Sequence, residues 1–397
     1  MAFFWLLTGF PFMYVLLRVI APFKPFRLSR AVAAVVLFLV AFKFQILRLV
    51  EKVLYRMRPA ACRTGEPMFF APDLPRWFMV VTTWIFVAFL FFCALLLASD
   101  LVRLAVWAVR KLRRRPTEGV LARPGRALAT GLLTAAFVLA AWGMVNANEP
   151  PEIRRVEVAR ADLPPELDGL KIVLIADLHV DKLSTRAEIE EIVRRANALD
   201  PDAIVLAGDF ADGHVAKLGH KLEPLKDLRA KYGVYGIPGN HEYYSGYAEW
   251  MPFLRSLGID MLENRHVMLA GGKLALGGVT DPAAKIRHME VPDIEKTFRG
   301  APEGSFKILL AHQLKDTRKA AKLGVDLQLS GHTHGGMIAG LDRVIALLNF
   351  GFVSDRYQVG KMQLYVSRGT SLWKGFPIRL GVPAEITCIT LRRKAMQ

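Results

Sequence analysis

Cysteine is scarce in this sequence of 397 residues, which contains only Cys62, Cys93 and Cys388. The three lie far apart, without the short spacing of a thiolate metal site, and Cys93 stands inside an apolar run. The sequence therefore indicates neither a zinc finger nor a disulfide framework. An oxidising compartment is neither required nor excluded by this pattern.

Acidic residues are scarce in the first 150 positions, which hold 19 Lys+Arg against 6 Asp+Glu, whereas residues 151–397 hold 34 against 30. A protein that binds nucleic acid would carry its basic excess on one face of a folded domain. Here the excess lies among apolar segments, a pattern typical of membrane topology. We therefore expect a lipid bilayer as a partner, and no nucleic acid.

Four apolar segments occupy this first part, at residues 2–23, 31–50, 77–99 and 127–147. The last two contain no charged residue, and each is long enough to cross about 30 Å of hydrocarbon as a helix. The first lacks the basic start of a cleaved signal peptide, which favours a retained helix. The second contains Lys43, Gln45 and Arg48 and either crosses the membrane or lies in its interface. The alternative for each is a buried core helix, but length and charge favour a transmembrane region of about four helices over residues 1–150.

Residues 151–397 instead alternate short apolar runs with amphipathic stretches, which predicts an α/β domain. Strands are predicted at residues 171–176, 203–207, 233–237, 274–279, 306–311, 326–330, 362–366 and 385–391. Helices are predicted at residues 184–199, 222–231, 247–257 and 314–323.

A glycine-rich loop, Gly331–Gly336, follows one of these strands and contains His332 and His334. In an extended backbone, residues two apart point to the same side, so both rings can face one site. A pair of imidazoles held this way suits two adjacent metal ions better than one. On its own the pair is a weak signal, because a polar turn after a strand is common.

Residues of metal-binding type also follow four other predicted strands. They are Asp177 and His179, Asp209 and Asp212, Asn240 and His241, and His312. Binding sites of α/β folds lie outside the carboxyl ends of their strands, so these side chains are expected to converge. Carboxylate, imidazole and amide ligands without thiolate favour Mn, Fe or Zn. The five loops together predict one metal centre.

Over about residues 169–337 these motifs resemble the calcineurin-like metallophosphoesterases, and the later stretch Tyr365–Thr370 is similar to their membrane-associated bacterial branch. The resemblance implies a sandwich of two sheets flanked by helices, an αββα fold, with two divalent metal ions at the strand ends. It departs from the family's usual pattern at Met337, where glutamine is common, and no proline follows His312. Neither departure removes a metal ligand.

The resemblance also implies a role for each residue. Asp177, His179 and His334 would bind the first metal, Asn240, His312 and His332 the second, and Asp209 would bridge both. His241 would contact the phosphate and assist the leaving oxygen; its alternative is a structural histidine. Arg368 is a candidate contact to phosphate or headgroup, or else an ion-paired surface residue, while Asp212 either holds its loop or touches substrate.

Two bound metals can clamp a phosphoryl oxygen and lower the pKa of a bridging water, which then attacks phosphorus in line. The predicted function is therefore a membrane-anchored, metal-dependent phosphoric ester hydrolase that cleaves a phosphodiester or pyrophosphate bond. An apolar run at residues 344–352 directly after the histidine loop is either core or a lip that rests on the bilayer and admits acyl chains. The lip favours a phospholipid or another lipid-linked substrate.

Two rival functions stay open. One is a tethered phosphatase or nucleotide phosphodiesterase that acts on soluble molecules. The other is a metal-binding scaffold or sensor without activity, although competent residue types at all seven ligand positions and at His241 argue against decay.

The charge pattern predicts the orientation of the chain in a bacterial inner membrane. The block Arg110–Arg115 lies next to two long apolar segments, where positive charge holds a loop in the cytoplasm. Residues 127–147 then make one crossing, so residues 151–397 should lie outside the cytoplasm. Protease added to spheroplasts should degrade this domain and spare the loop around Arg113. A protected domain together with a cleaved basic loop would reverse the topology.

Overall fold

The amino-terminal apolar segments form helices. The structure is a computed structural model that describes residues 2–21, 27–57 and 74–394, so the predicted end of the first helix at residues 22–23 lies outside the described residues. Helix α1 spans Ala2–Val15 and continues as a π-helical turn, Leu16–Ile20. Among the described residues, two helices are long and apolar enough to cross a membrane, α4 at Arg76–Leu112 and α5 at Arg126–Ala147.

The second predicted segment, residues 31–50, is two helices rather than one. Helix α2 spans Arg27–Ala41 and α3 spans Lys43–Met57, with a bend of 73° between them, so this part is at most one broken span. The break lies next to Lys43, which is buried and whose Nζ donates to Thr83 Oγ1 at 2.7 Å. A buried ammonium group needs such a partner, and hydropathy alone does not reveal that requirement.

Helix α4 extends beyond the predicted segment 77–99 by more than three turns. Its Asp100 accepts two hydrogen bonds from the Arg18 guanidinium, both of 2.8 Å, and one from the Tyr14 hydroxyl at 2.7 Å. Asp100 thus has ionic and hydrogen-bonded partners within the helical part of the chain.

The remainder of the chain forms a second compact unit, Val145–Gln397, around two six-stranded sheets. The first sheet has the order β1-β12-β2-β3-β4-β5, and the second has the order β10-β11-β9-β8-β7-β6. The strands of the first sheet are β1 Glu152–Arg160, β2 Lys171–Ile175, β3 Ala203–Leu206, β4 Val234–Gly236, β5 Asp260–Met261 and β12 Glu385–Arg393. Those of the second are β6 Arg265–Leu269, β7 Leu274–Gly278, β8 Phe306–Leu310, β9 Leu327–Ser330, β10 Asp355–Val359 and β11 Met362–Val366.

The two sheets pack face to face and are covered by helices, which confirms the predicted αββα sandwich. Alternate residues of β2, Ile172 and Leu174, lie in the inner cluster with Ile308 and Leu310 of β8. Their neighbours Val173 and Ile175 face outward and pack under helices. The helices of this unit are α6 Arg186–Asn197, α7 Val215–Leu222, α8 Asn240–Ser245, α9 Tyr247–Ser256, α10 Ile294–Thr297, α11 Thr317–Lys322 and α12 Asp342–Leu348.

Helix α6 illustrates how the sequence specifies these elements. The Thr185 hydroxyl accepts a hydrogen bond from the backbone N–H of Glu188, and the Glu188 carboxylate accepts one from the backbone N–H of Thr185. Both bonds satisfy N–H donors that have no partner within the helix. Residues 189, 192, 193 and 196 are buried at the spacing of one helix face.

One predicted helix was wrong. Residues 222–231 do not form a single helix, because α7 ends at Leu222 and a short 3₁₀ turn, Glu223–Asp227, follows. Pro224 lies in the first part of this turn, where it has no backbone N–H to donate to an α-helical hydrogen bond. The sequence also gave no prediction for β1, β5, β6 and β10, which pair at or near sheet edges.

Candidate metal centre

The predicted site residues lie in loops that follow the carboxyl ends of strands. Asp177 and His179 follow β2, Asp209 and Asp212 follow β3, Asn240 and His241 follow β4, His312 follows β8, and His332 and His334 follow β9. Strands β2, β3 and β4 are parallel, as are β7, β8 and β9. Each sheet therefore brings its loops to one edge, and both edges meet at the site.

The first group of side chains consists of Asp177, His179 and His334. One ligand atom from each lies within 4.8 Å of the others. The Nε2 atoms of His179 and His334 are 3.2 Å apart, and they lie 4.0 Å and 3.8 Å from Oδ1 of Asp177. This is the set that the resemblance assigns to the first metal.

The second group consists of Asp209, His312 and His332, again with ligand atoms within 4.8 Å of one another. Oδ2 of Asp209 lies 3.1 Å from His312 Nε2 and also 3.4 Å from His179 Nε2 of the first group. One carboxylate oxygen therefore contacts both groups. That is the position of a bridging ligand, the role predicted for Asp209.

Asn240 completes the second predicted set. The backbone N–H of the next residue, His241, donates to Oδ1 of Asp209 at 2.9 Å, so Asn240 lies beside the same carboxylate. The Asn240 side-chain oxygen is buried and has no hydrogen-bond partner. A buried amide oxygen without a donor is costly, and a cation would satisfy it.

The orientation of two histidine rings also fits bound cations. Nδ1 of His179 lies 3.2 Å from both oxygens of Asp212, and Nδ1 of His312 lies 2.7 Å from the carbonyl oxygen of Ala207. In the neutral ring these contacts place the proton on Nδ1, because only a donor suits an oxygen acceptor. The Nε2 lone pair of His179 then points at His334, and that of His312 points at Asp209. A metal ion bound between these atoms would remove the repulsion between their lone pairs.

Comparison of the sequence with known proteins agrees with this geometry. Residues 170–336 match the family model described as calcineurin-like phosphoesterase. The chain is 34% identical over 343 residues to a "Transmembrane protein with metallophosphoesterase domain" of Danio rerio, an overlap of 82% of this chain and 76% of that protein. The chain belongs to the calcineurin-like phosphoesterase family.

Two further relatives show how far the similarity reaches. A protein of Bos taurus with the same name is 38% identical over 269 residues, which are 64% of this chain and 60% of the relative. An uncharacterized metallophosphoesterase of Helicobacter pylori strain J99 is 35% identical over 245 residues, which are 62% of this chain and 65% of the relative. The chain thus spans less than two thirds of these two relatives. Because the matches include vertebrates and a bacterium, they support the family and do not single out its bacterial branch.

In this phosphoesterase domain, Asp212 contacts two histidines that belong to different parts of the site. Besides His179, its Oδ1 atom is paired with Nδ1 of His241, whose Nε2 lies 4.0 Å from Oδ2 of Asp209. Asp212 therefore orients the His241 ring toward the bridging position. The sequence suggested that Asp212 holds its loop or touches substrate, and its position beside two histidines was not foreseen.

Glu242 was missed altogether, although it shapes the phosphoesterase site. This fully buried carboxylate accepts backbone N–H groups of Asp209 at 3.0 Å, Phe210 at 2.7 Å and Gly239 at 2.7 Å. It thereby joins the loops after β3 and β4. Its adjacency to His241 is the one signal in the sequence, but a Glu at the start of a helix is usually solvent-exposed.

Two glycines of the phosphoesterase site are required by close approach. A Cβ atom at Gly239 would lie 2.2 Å from Oδ1 of Asp209, and one at Gly331 would lie 2.5 Å from Oδ2 of Asp177. Any side chain there would displace a predicted metal ligand.

The backbone is strained at five of the seven predicted ligands. Positive φ angles occur at Asp177 (58°), His179 (43°), Asp209 (56°), His332 (74°) and His334 (50°). Such conformations cost on the order of 1–3 kcal/mol each in a non-glycine residue and persist where the surroundings impose them. Metal binding would offset that cost in the folded state.

Neighbouring charges set the pKa values in the cluster. Burial and the adjacent His179 hold the pKa of His334 well below its usual range, and burial with His312 lowers the pKa of His332 to about 3, so both rings are neutral, the form in which an imidazole binds a metal ion. For His241, burial lowers the pKa, but Asp209 and Asp212 outweigh it and raise the pKa to about 9.

Arg368, the predicted substrate contact, lies in an ion-pair cluster at the end of β11. Its guanidinium is 3.5 Å from Asp355 and 3.8 Å from Glu385. These contacts account for its position, and the contact to substrate stays a prediction. Beneath it, the buried Arg379 donates to the carbonyls of Arg368, Gly369 and Ser371 at 2.8, 3.2 and 2.8 Å.

Asp209→Asn tests the bridge. An amide carries no charge to hold two cations together, so bound metal should fall below two ions per chain. Mutating a residue that only hydrogen-bonds to a metal ligand lowers activity about 10–100-fold. Turnover of the Asp209→Asn protein should fall further than that. Metal per chain by elemental analysis, melting temperature and turnover are the measurements.

The matched control is Asp202→Asn. Asp202 immediately precedes β3, at the amino ends of the strands and away from the candidate ligands, and its side chain accepts a hydrogen bond from the Lys171 backbone N–H. It should keep metals and turnover. An Asp209→Asn protein with two metals and wild-type activity would refute the bridging role.

Proposed function

We propose that this chain is a membrane-anchored, dinuclear metal-dependent phosphoesterase that hydrolyses a phosphodiester or pyrophosphate bond of a lipid-linked substrate. The observation that carries the proposal is the contact of one Asp209 oxygen with both groups of candidate ligands. Asp177, His179 and His334 would hold one ion, Asn240, His312 and His332 the other, and Asp209 both. When bound, two divalent ions neutralise phosphoryl charge and supply an activated water as nucleophile.

The chain's own residues would position the phosphoester and manage a proton. The backbone N–H of His241 is fixed on Asp209, and its ring is fixed on Asp212, so Nε2 faces the centre of the site. From there the Nε2 proton would pass to the leaving oxygen as its bond to phosphorus breaks. Asp212 would keep the other proton on Nδ1 and stabilise the charged ring beforehand.

Two features of the chain support a substrate at the membrane. Helices α4 and α5 are long and apolar, and only residues 148–151 separate α5 from the first strand of the domain. In addition, most of the apolar run after the histidine loop lies outside the core: Val344, Leu347 and Leu348 expose 54%, 82% and 64% of their surface, whereas Phe352 at its end is buried. An exposed lip favours an apolar ligand over a soluble one. With the predicted topology, the substrate would lie in the outer leaflet.

The role of His241 can be separated from metal binding. His241→Ala should retain two metals but slow esters with poor leaving groups by about 10²–10⁴-fold, the usual contribution of a general acid. Esters with good leaving groups need less protonation and should suffer less. Turnover of an aryl ester series against leaving-group pKa, with metal content measured in parallel, is the test. An equal loss across the series, or a loss of metal, would mean that His241 is not the acid.

The substrate class calls for a panel assayed on the full-length protein in mixed micelles. Soluble phosphomonoesters, nucleotide phosphodiesters, phospholipids and lipid-linked pyrophosphates should be compared with Mn, Fe and Zn added separately. We expect metal-dependent hydrolysis with the highest kcat/KM on a lipid-linked diester or pyrophosphate. Higher kcat/KM on soluble esters would favour the tethered phosphatase or nucleotide phosphodiesterase. Two bound metals without any hydrolysis would favour a scaffold or sensor.

A further inference from the structure

Exposed apolar side chains in the phosphoesterase domain are confined to two places. Over the described residues 148–394, nine large hydrophobic side chains are exposed, and all belong either to α8 with the segment after β7 or to the segment around α12. The first group, the α8 rim, comprises Tyr244, Ile286, Met289 and Val291. The second, the α12 rim, comprises Leu341, Val344, Leu347, Leu348 and Phe350.

The α8 rim includes the helix that carries His241. Tyr244 follows His241 in α8, and the two rings are 5.6 Å apart. The turn Pro282–Arg287 packs on α8, where the Arg287 Nε atom donates to the carbonyl of Tyr243 at 3.0 Å. This turn begins just after Asp281, which accepts a hydrogen bond from Gln313, the neighbour of His312.

The α12 rim is attached to the loop that carries His332 and His334. A Cβ atom at Gly336 would lie 3.2 Å from Cα of Asp342, the first residue of α12. Thr333, between the two histidines, is hydrogen-bonded through its hydroxyl to the carbonyl of Val353, just beyond the rim. Helix α12 has no buried residue, so its apolar side chains do not contribute to the domain core.

Both rims lie at the edge of the sandwich where the metal centre lies. The α8 rim follows the carboxyl ends of β4 and β7, and the α12 rim follows the carboxyl end of β9. The domain's exposed apolar surface therefore occurs on elements to either side of the candidate ligands. We propose that the two rims form one docking surface that inserts into the headgroup region of a lipid bilayer and sets the metal centre at the depth of a lipid phosphate.

A bilayer is the occupant that the rest of the chain favours. The domain follows the two long apolar helices after only four residues, so a membrane is the surface to which it is tethered. The rims also carry exposed cations, Lys285 and Arg343, whose charged ends can reach lipid phosphates while apolar neighbours insert. Amphipathic surfaces of this kind sit about 5–10 Å into the boundary of headgroups and acyl chains.

The docking surface deepens the proposed function, because it specifies where that function would find its phosphoester. Its test does not depend on turnover. If the rims insert but no lipid is hydrolysed, the proposed substrate is wrong and the docking stands. If lipid is hydrolysed but the rims stay in water, the docking is wrong.

The experiment uses the full-length protein in phosphatidylcholine–phosphatidylglycerol vesicles. Single cysteines are introduced by Leu347→Cys or Ile286→Cys into a protein whose native cysteines have been replaced, and each is labelled with an environment-sensitive fluorophore. The control is Glu303→Cys, exposed in the turn that precedes β8, at the opposite edge of the sheet. Quenching by a lipid with a nitroxide near its headgroup is compared with quenching by aqueous iodide.

Probes at 347 and at 286 should be quenched by the nitroxide lipid and shielded from iodide, while the probe at 303 should show the reverse. Adding Leu348→Asp beside the label at 347 should reduce nitroxide quenching there. Equal quenching at 347 and 303 would refute docking. Shielding from both quenchers would show that protein, such as a second copy, covers the rim, and insertion at 347 but not at 286 would refute a two-sided surface.

Discussion

The contact between the Asp209 carboxylate and imidazoles from both sheets is the interaction on which the site depends. His179 enters from the loop after β2 of the first sheet, and His312 enters from the loop after β8 of the second. Because both Nε2 atoms lie close to one oxygen, the edges of the two sheets are held next to each other there. Although burial opposes it, Asp209 raises the pKa of His312 well above its usual value, so a proton on that ring supplies positive charge at this contact, and a bound metal ion would replace the proton. Cation binding and the approach of the two sheet edges therefore depend on the same carboxylate.

The sequence predicts much of this site because parallel strands deliver their carboxyl ends to the same edge. A residue such as Asp177 or Asn240 could therefore be placed from its position after a strand. Glu242 could not, since its function depends on full burial beneath loops that approach from two strands. Asp212 shows the same limit: local sequence gives its loop, but only tertiary structure brings His179 and His241 to its two oxygens.

Long-range pairing and buried polarity explain the other differences. Strand β1 pairs with β12 from the opposite end of the domain's sequence, a partner that no local pattern encodes. In the helical part, hydropathy suggested one helix over residues 31–50, whereas the chain bends beside a buried Lys43. Lys43 begins the helix that follows this bend, and its ammonium group donates to Thr83 there. An average of hydropathy over the segment does not reveal such a buried polar contact.

The proposed docking of the exposed rims rests on one physical condition. Exposing Leu347 or Ile286 to water is unfavourable, because exposed apolar patches favour aggregation. At a bilayer the same side chains become stabilising, and the phosphates of lipids are already concentrated in the plane that the site would face. The proposed membrane anchor would keep the domain near that plane, but an anchor alone would leave its orientation free. The rims would supply the orientation, because the large apolar side chains that are exposed among the described residues 148–394 lie at one edge of the sandwich.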